Sequence, residues 1–80
     1  MSTDLKPYEA TDVLTQRERE VMDRAAHGLT NARIAEELSV STHAIKFHLA
    51  SVYRKLGVAN RTEATAWYVG VLARDGRDQG

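Results

Sequence analysis

Ser41–Leu56, STHAIKFHLASVYRKL, reads as a single helix of about four turns with two different faces. Ile45, Leu49, Val52 and Leu56 recur at spacings of four, three and four, the period that gathers apolar side chains on one stripe of an α-helix. That stripe faces a core. The opposite side of the same wheel carries His43, Phe47, Ala50 and Arg54, with Lys46 on its flank, a mixture of cations and contact surface suited to reading another molecule. Ser41 can cap the start by accepting a hydrogen bond from a first-turn N–H, and Gly57 stands where a left-handed residue would end the helix.

Upstream, Thr30 can cap a second, short helix with Ile34, Ala35 and Leu38 turned inward and Asn31, Arg33, Glu36 and Glu37 turned to water. Ser39 and Val40 leave a connection too short for the two helices to lie antiparallel, so they must cross. A short helix, a tight turn and a longer helix with a polar outer face form the outline of a helix-turn-helix. Before it, Thr15-Gln16-Arg17-Glu18 is a capping box that starts a first helix. Val21, Met22, Ala25 and Ala26 supply its buried stripe and Gly28 ends it, with His27 beside the last carbonyls. Residues 1–13 hold one proline, few apolar residues and no period, and are expected to be a flexible arm or linker.

Downstream, Asn60 with Glu63 three positions on predicts a cap opening a fourth helix over residues 61–74. Ala64, Trp67, Tyr68, Val71 and Leu72 form its inward stripe, yet Ala66, Val69 and Ala73 carry apolar character to the far side, beside Thr65. A core contact needs an arc of only a little over about 100°. The excess points to a second partner, most simply the same helix of another subunit about a two-fold axis. Residues 75–80 are a polar, glycine-bearing tail expected to fray. The expected fold is all-α: a four-helix bundle containing a helix-turn-helix, with its domain over residues 14–74.

Eighty residues make one small domain, and a core of that size usually supplies only a few kcal/mol of net stability. No apolar run approaches the roughly 20 residues that span a membrane, and the N-terminus MSTDLKPYEATD has no apolar signal core, so a cytoplasmic protein is expected. The chain has no cysteine, which excludes disulfides and thiolate metal sites. Its net charge is zero, but residues 38–62 hold four bases and no acid, so a basic patch survives on a neutral chain. Enzymatic readings find little support: His43 and His48 do not share a helix face, no glycine-rich phosphate loop exists, and the serines and threonines are accounted for as caps. No cofactor, metal or small-molecule site is expected.

Leu14-Thr15-x-Arg17-Glu18-x-Glu20-Val21, Gly28-x-Thr30-Asn31-x-x-Ile34-Ala35-x-x-Leu38, Ser41 with Ile45-Lys46-x-His48, Lys55-Leu56-Gly57-Val58 and Arg61-Thr62-Glu63-Ala64 closely resemble the LuxR-type DNA-binding domain, also called GerE-type or FixJ-type. The resemblance covers about fifty consecutive residues at matching spacing. It implies a bacterial transcription-regulator domain whose third helix enters the major groove of a pseudo-palindromic operator and whose fourth pairs two subunits. Ala44 stands where the family usually has threonine, and Trp67-Tyr68 are bulkier than the family's usual residues there. Most members carry this domain behind a longer one, so this chain either acts alone or is the excised end of a longer regulator.

In a major-groove pose, Lys46 lies early on the outer face, where guanine O6 and N7 suit it, and the resemblance implies the same position. Phe47 and Ala50 could meet a thymine methyl, and His43 points the same way. Arg54 and Lys55 lie later and suit phosphates; Thr30, Asn31, Ser41 and Thr42 sit at helix starts where hydroxyls, an amide and free N–H groups can meet phosphate oxygens. Arg61 resembles a family phosphate contact. His48 falls near the core stripe and is expected to pack. The four cations of the block, doubled in a dimer, set a ceiling of about eight phosphate neutralisations and a salt slope of about 7. The alternative is a protein-interaction module that binds another regulator or RNA polymerase; beside DNA and a second copy, RNA polymerase is the further partner this reading allows.

Overall fold

The computed structural model describes the backbone of residues 13–78 and the side chains of residues 13–70. Among these residues the chain is all-α, with α1 Gln16–Ala26, α2 Asn31–Leu38, α3 Thr42–Leu56 and α4 Arg61–Asp78. The arm expected over residues 1–13 falls, but for Val13, outside the described residues.

Each boundary follows from a local hydrogen-bonding choice. Thr15 Oγ1 accepts from the Glu18 N–H at 3.1 Å while Glu18 Oε1 accepts from the Thr15 N–H at 2.9 Å, closing the capping box of α1. α1 ends at His27, whose Nδ1 donates to the Asp23 carbonyl at 2.8 Å, and the chain reverses through Gly28 at φ +89°. Thr30 and Ser41 cap α2 and α3 by accepting from the Arg33 and Ala44 N–H groups. Between them Ser39 takes a left-handed conformation, φ 59°, and the Val40 N–H donates back to the Ala35 carbonyl at 3.0 Å. One residue thus makes the tight turn of the helix-turn-helix. At the next junction Asn60 Oδ1 accepts from the Glu63 N–H, and the Glu63 carboxylate reaches the Ala59 N–H, one residue earlier than in a capping box.

α3 ends at Gly57, φ +71°, with the Val58 N–H donating to the Tyr53 carbonyl at 3.0 Å. A Cβ built on Gly57 meets no atom within 4 Å, so the position demands glycine for its backbone alone. Gly57→Ala is therefore expected to cost about 1 kcal/mol, read as a fall of about 4 to 8 °C in Tm for a domain of this size. An unchanged Tm would contradict that assignment.

The core gathers Val21, Met22, Ala25, Ile34, Ala35, Ile45, Leu49, Val52, Ala64 and Tyr68 from all four helices and Leu14 from two residues before α1, with Leu38, Leu56 and Trp67 packed at its edge. Ile34, Ile45, Val21, Val52 and Met22 are fully buried, each worth about 1.5 to 3 kcal/mol against exposure. These contacts fix the rotation of α3, because burying Ile45, Leu49 and Val52 forces the opposite face into water.

Two features depart from the sequence reading. α4 runs to Asp78, four residues past Arg74; no proline interrupts residues 75–78, and Gly76 inside a helix costs only about 1 kcal/mol. Asn31 is half-buried and bonded to Arg61 rather than turned fully to water.

Candidate nucleic-acid interface

His43, Lys46, Phe47, Ala50 and Arg54 are all exposed on the outer face of α3, and Ser41 and Thr42 are exposed at its start. Phe47 is 69% exposed, the most exposed large apolar side chain among the described residues. Its ring lies edge-on to that of His48, centroids 6.1 Å apart at 69°, and His48 itself is half-buried beside the core stripe. Lys46 forms no hydrogen bond or ion pair among the described residues. An ammonium with no partner among the described residues and a largely exposed aromatic ring therefore stand side by side.

The later cations of the block are held differently. Glu18, only 5% exposed, receives the Lys55 ammonium on Oε1 at 2.8 Å and the Ser51 hydroxyl on Oε2 at 2.7 Å, in addition to the Thr15 N–H. Burial alone would push this carboxyl up; the hydrogen bonds from Lys55, Thr15 and Ser51 and the charge of Lys55 outweigh it and bring its pKa from 4.5 down to about 2. Ser51 Oγ also accepts from Arg54 Nη2 at 3.4 Å, so the pair reaches across to the outer face. Lys55, read from the sequence as a phosphate contact, is thus engaged with a buried acid.

Arg61 is likewise engaged. Its Nη1 donates to Asn31 Oδ1 at 2.8 Å, and its Nη2 donates to the carbonyls of Leu29 and Ala25, tying the start of α4 to the end of α1 and the first residue of α2. Burial pushes the Tyr53 hydroxyl up, with the nearby Arg61 charge acting in the opposite direction. Thr30, exposed at the start of α2, is the cap already described. The sequence missed both engagements because Glu18 and Arg61 each had a sufficient local reading, as a capping-box member and as a helix-opening cation. A signal was present for Glu18: Ser51 and Lys55 stand four apart on one flank of α3, a polar pair beside an apolar stripe.

The acids flanking the basic block are largely matched. Arg24 pairs with Glu37 at 2.9 Å, and Arg33 lies 3.7 and 3.6 Å from Glu36 and Glu37. These pairs lie in water and contribute about 0 to 1 kcal/mol each to stability, but they keep the α2 acids neutralised.

On α4, Ala66 and Val69 are exposed, Val69 at 49%, and Thr65 is half-buried. Ala64 and Tyr68 occupy the inward face as the pattern predicts. The side chains of Ala73, Val71 and Leu72 lie outside those described. Among the described residues no helix is long and apolar enough to cross a membrane.

Comparison with known proteins shows what the chain as a whole is similar to. The GerE model, described as bacterial regulatory proteins of the luxR family, matches residues 12–68. The probable transcriptional regulatory protein SgaR of Hyphomicrobium methylovorum is 39% identical over 74 residues, 92% of this chain and 35% of that protein. The CsgBAC operon transcriptional regulatory protein of Escherichia coli is 37% identical over 62 residues, 75% of this chain and 29% of its own length. The HTH-type transcriptional regulator MalT of Yersinia pestis is 48% identical over 54 residues, 68% of this chain and 6% of that one. The chain thus spans about a third or less of these relatives, all named as regulators of transcription.

Proposed function

The chain belongs to the luxR family of bacterial regulatory proteins, and on that premise we propose that it binds double-stranded DNA sequence-specifically to regulate transcription. In this reading α3 lies in the major groove, and two copies pair through α4 on an operator of two-fold symmetry. The observation that carries it is the outer face of α3, where Lys46, without a partner among the described residues, and the 69% exposed Phe47 stand together on a helix whose rotation the core fixes.

Lys46 donates to guanine O6 and N7, Phe47 and Ala50 pack on thymine methyls, and His43 reaches a base edge near the helix start. Thr30, Asn31, Ser41, Thr42 and Arg54 hold phosphates, which orients the domain without reading sequence. Lys55, paired with Glu18 at 2.8 Å, adds little net charge. Ala66, Val69, Thr65 and Ala73 form the α4 contact between copies, joining two half-sites in one affinity.

Electrostatics provides the test. With Lys55 tied to Glu18 and Arg61 to Asn31, Lys46 and Arg54 remain as the exposed cations of the block not bonded to another helix among the described residues. A dimer then neutralises about four phosphates, and log Kobs should fall against log salt with a slope of magnitude about 4 rather than about 7. Titration of a random-sequence duplex between low and moderate salt measures it. Binding that is absent, or indifferent to salt, would overturn the DNA reading and favour a protein partner.

A further inference from the structure

Asn31 and Arg61 are thirty residues apart, yet their side chains meet, Nη1 to Oδ1 at 2.8 Å. Arginine carries only donors, so it can take only the oxygen of the carboxamide and thereby fixes which way the amide is turned. The NH2 group, with two donors, is left at the other end. A phosphate oxygen accepts and cannot donate. An asparagine free to flip offers it the correct end only part of the time, whereas a clamped one offers it always. The Arg61 guanidinium is itself half-buried and also donates to the Leu29 and Ala25 carbonyls, so its own charge is already matched by three acceptor dipoles.

We propose that Arg61 is a positioning residue for DNA binding, holding the Asn31 carboxamide by its oxygen so that the NH2 group is the end presented to a DNA phosphate. The inference rests on the DNA-binding reading and reassigns Arg61 from contact to support. It also makes the junction of α1, α2 and α4 part of the binding apparatus, since one guanidinium at the start of α4 bonds to residues of the other two.

A double-mutant cycle on the full chain tests it, with duplex affinity measured for wild type, Asn31→Ala, Arg61→Gln and the double variant. Each single variant is expected to lose about 5- to 10-fold, and the double variant to be no weaker than the worse single one. Losses that multiply would show Arg61 making its own contact and overturn the proposal. The side-chain NH2 resonances of Asn31 give a readout that general destabilisation would not move. They should shift to the positions of a free asparagine in Arg61→Gln while the core amides stay in place; unchanged resonances overturn the clamp. Asn31→Asp covers the case in which Arg61→Gln fails to fold. It keeps an acceptor for Arg61 but removes the NH2 donors, so it should retain Tm and lose more than about 10-fold in affinity. Wild-type affinity in that variant also overturns the proposal. If the wild-type chain itself binds no duplex, the DNA reading fails; if it binds and the cycle is additive, only the positioning role fails.

Discussion

Lys46→Ala is expected to weaken binding to the cognate site by about 10- to 100-fold, about 1 to 3 kcal/mol, and to flatten the preference at one base pair while leaving the others intact. Lys46 is the one cation of the 38–62 block that the structure leaves without a partner among the described residues, so no intramolecular bond competes with a base for it. Its removal should leave stability within about 0.5 kcal/mol, since an exposed side chain away from caps and core is replaced by a good helix former. Affinity and folding therefore separate at this position. Arg54→Ala should behave differently, weakening cognate and random duplexes alike, because a phosphate contact carries no sequence information. Site selection with each variant distinguishes the two; an unchanged preference in Lys46→Ala would contradict the docking.

Glu18→Gln is expected to have the converse profile, with a large loss of stability. The wild-type carboxylate is 5% exposed and satisfied on both oxygens, by Thr15 and Lys55 on one and Ser51 on the other. An amide cannot hold the ammonium by charge and turns a donor toward one of its neighbours. The folded-state pKa of about 2 lies below the ordinary 4.5 because the Lys55, Thr15 and Ser51 bonds outweigh burial. A depressed carboxyl pKa contributes stability that is fully present above the unfolded value and is lost as pH falls through the folded one. The contribution is thus complete near neutrality, fades below about pH 4.5 and is gone only below about pH 2. The difference corresponds to about 3 kcal/mol, a large share of what a domain this small possesses. Urea melts at pH 7 and pH 3 measure it: Glu18→Gln should be far less stable at the first and closer to wild type at the second. Equal destabilisation at both would contradict the charge account.

Most of the architecture was legible because its causes are local. Thr15, Thr30, Ser41 and Asn60 each announce a helix by bonding an N–H three residues on, and Gly28 and Gly57 announce the ends by their conformational freedom. The two faces of α3 were legible from period alone, since burying Ile45, Leu49 and Val52 decides where Lys46 and Phe47 must stand. The left-handed Ser39 was not, because serine gives no signal for that conformation. Neither were the long-range ties, Glu18 to Ser51 and Lys55 and Arg61 to Asn31, which join residues 30 to 37 apart. A sequence offers several partners at such separations, and only packing selects among them. Those ties engage two cations of the basic block, Lys55 with the Glu18 carboxylate and Arg61 with the Asn31 carboxamide.

The end of α4 illustrates the opposite failure. Arg74 looked like a last turn because polar residues follow it, yet polarity ends a core contact without ending a helix, and the backbone continues to Asp78. The exposed Ala66 and Val69 keep the proposed pairing face open to a second copy.

In the proposed mode of binding, the outer face of α3 reads DNA in the major groove as one half of a symmetric pair. Selection of bound sequences from a library of random duplexes at moderate salt tests it without any assumed operator. An inverted repeat is expected to be enriched, with half-site centres about one helical turn, or a multiple of it, apart, and with a guanine whose preference is lost in Lys46→Ala. A library that emerges with no sequence enriched would contradict it.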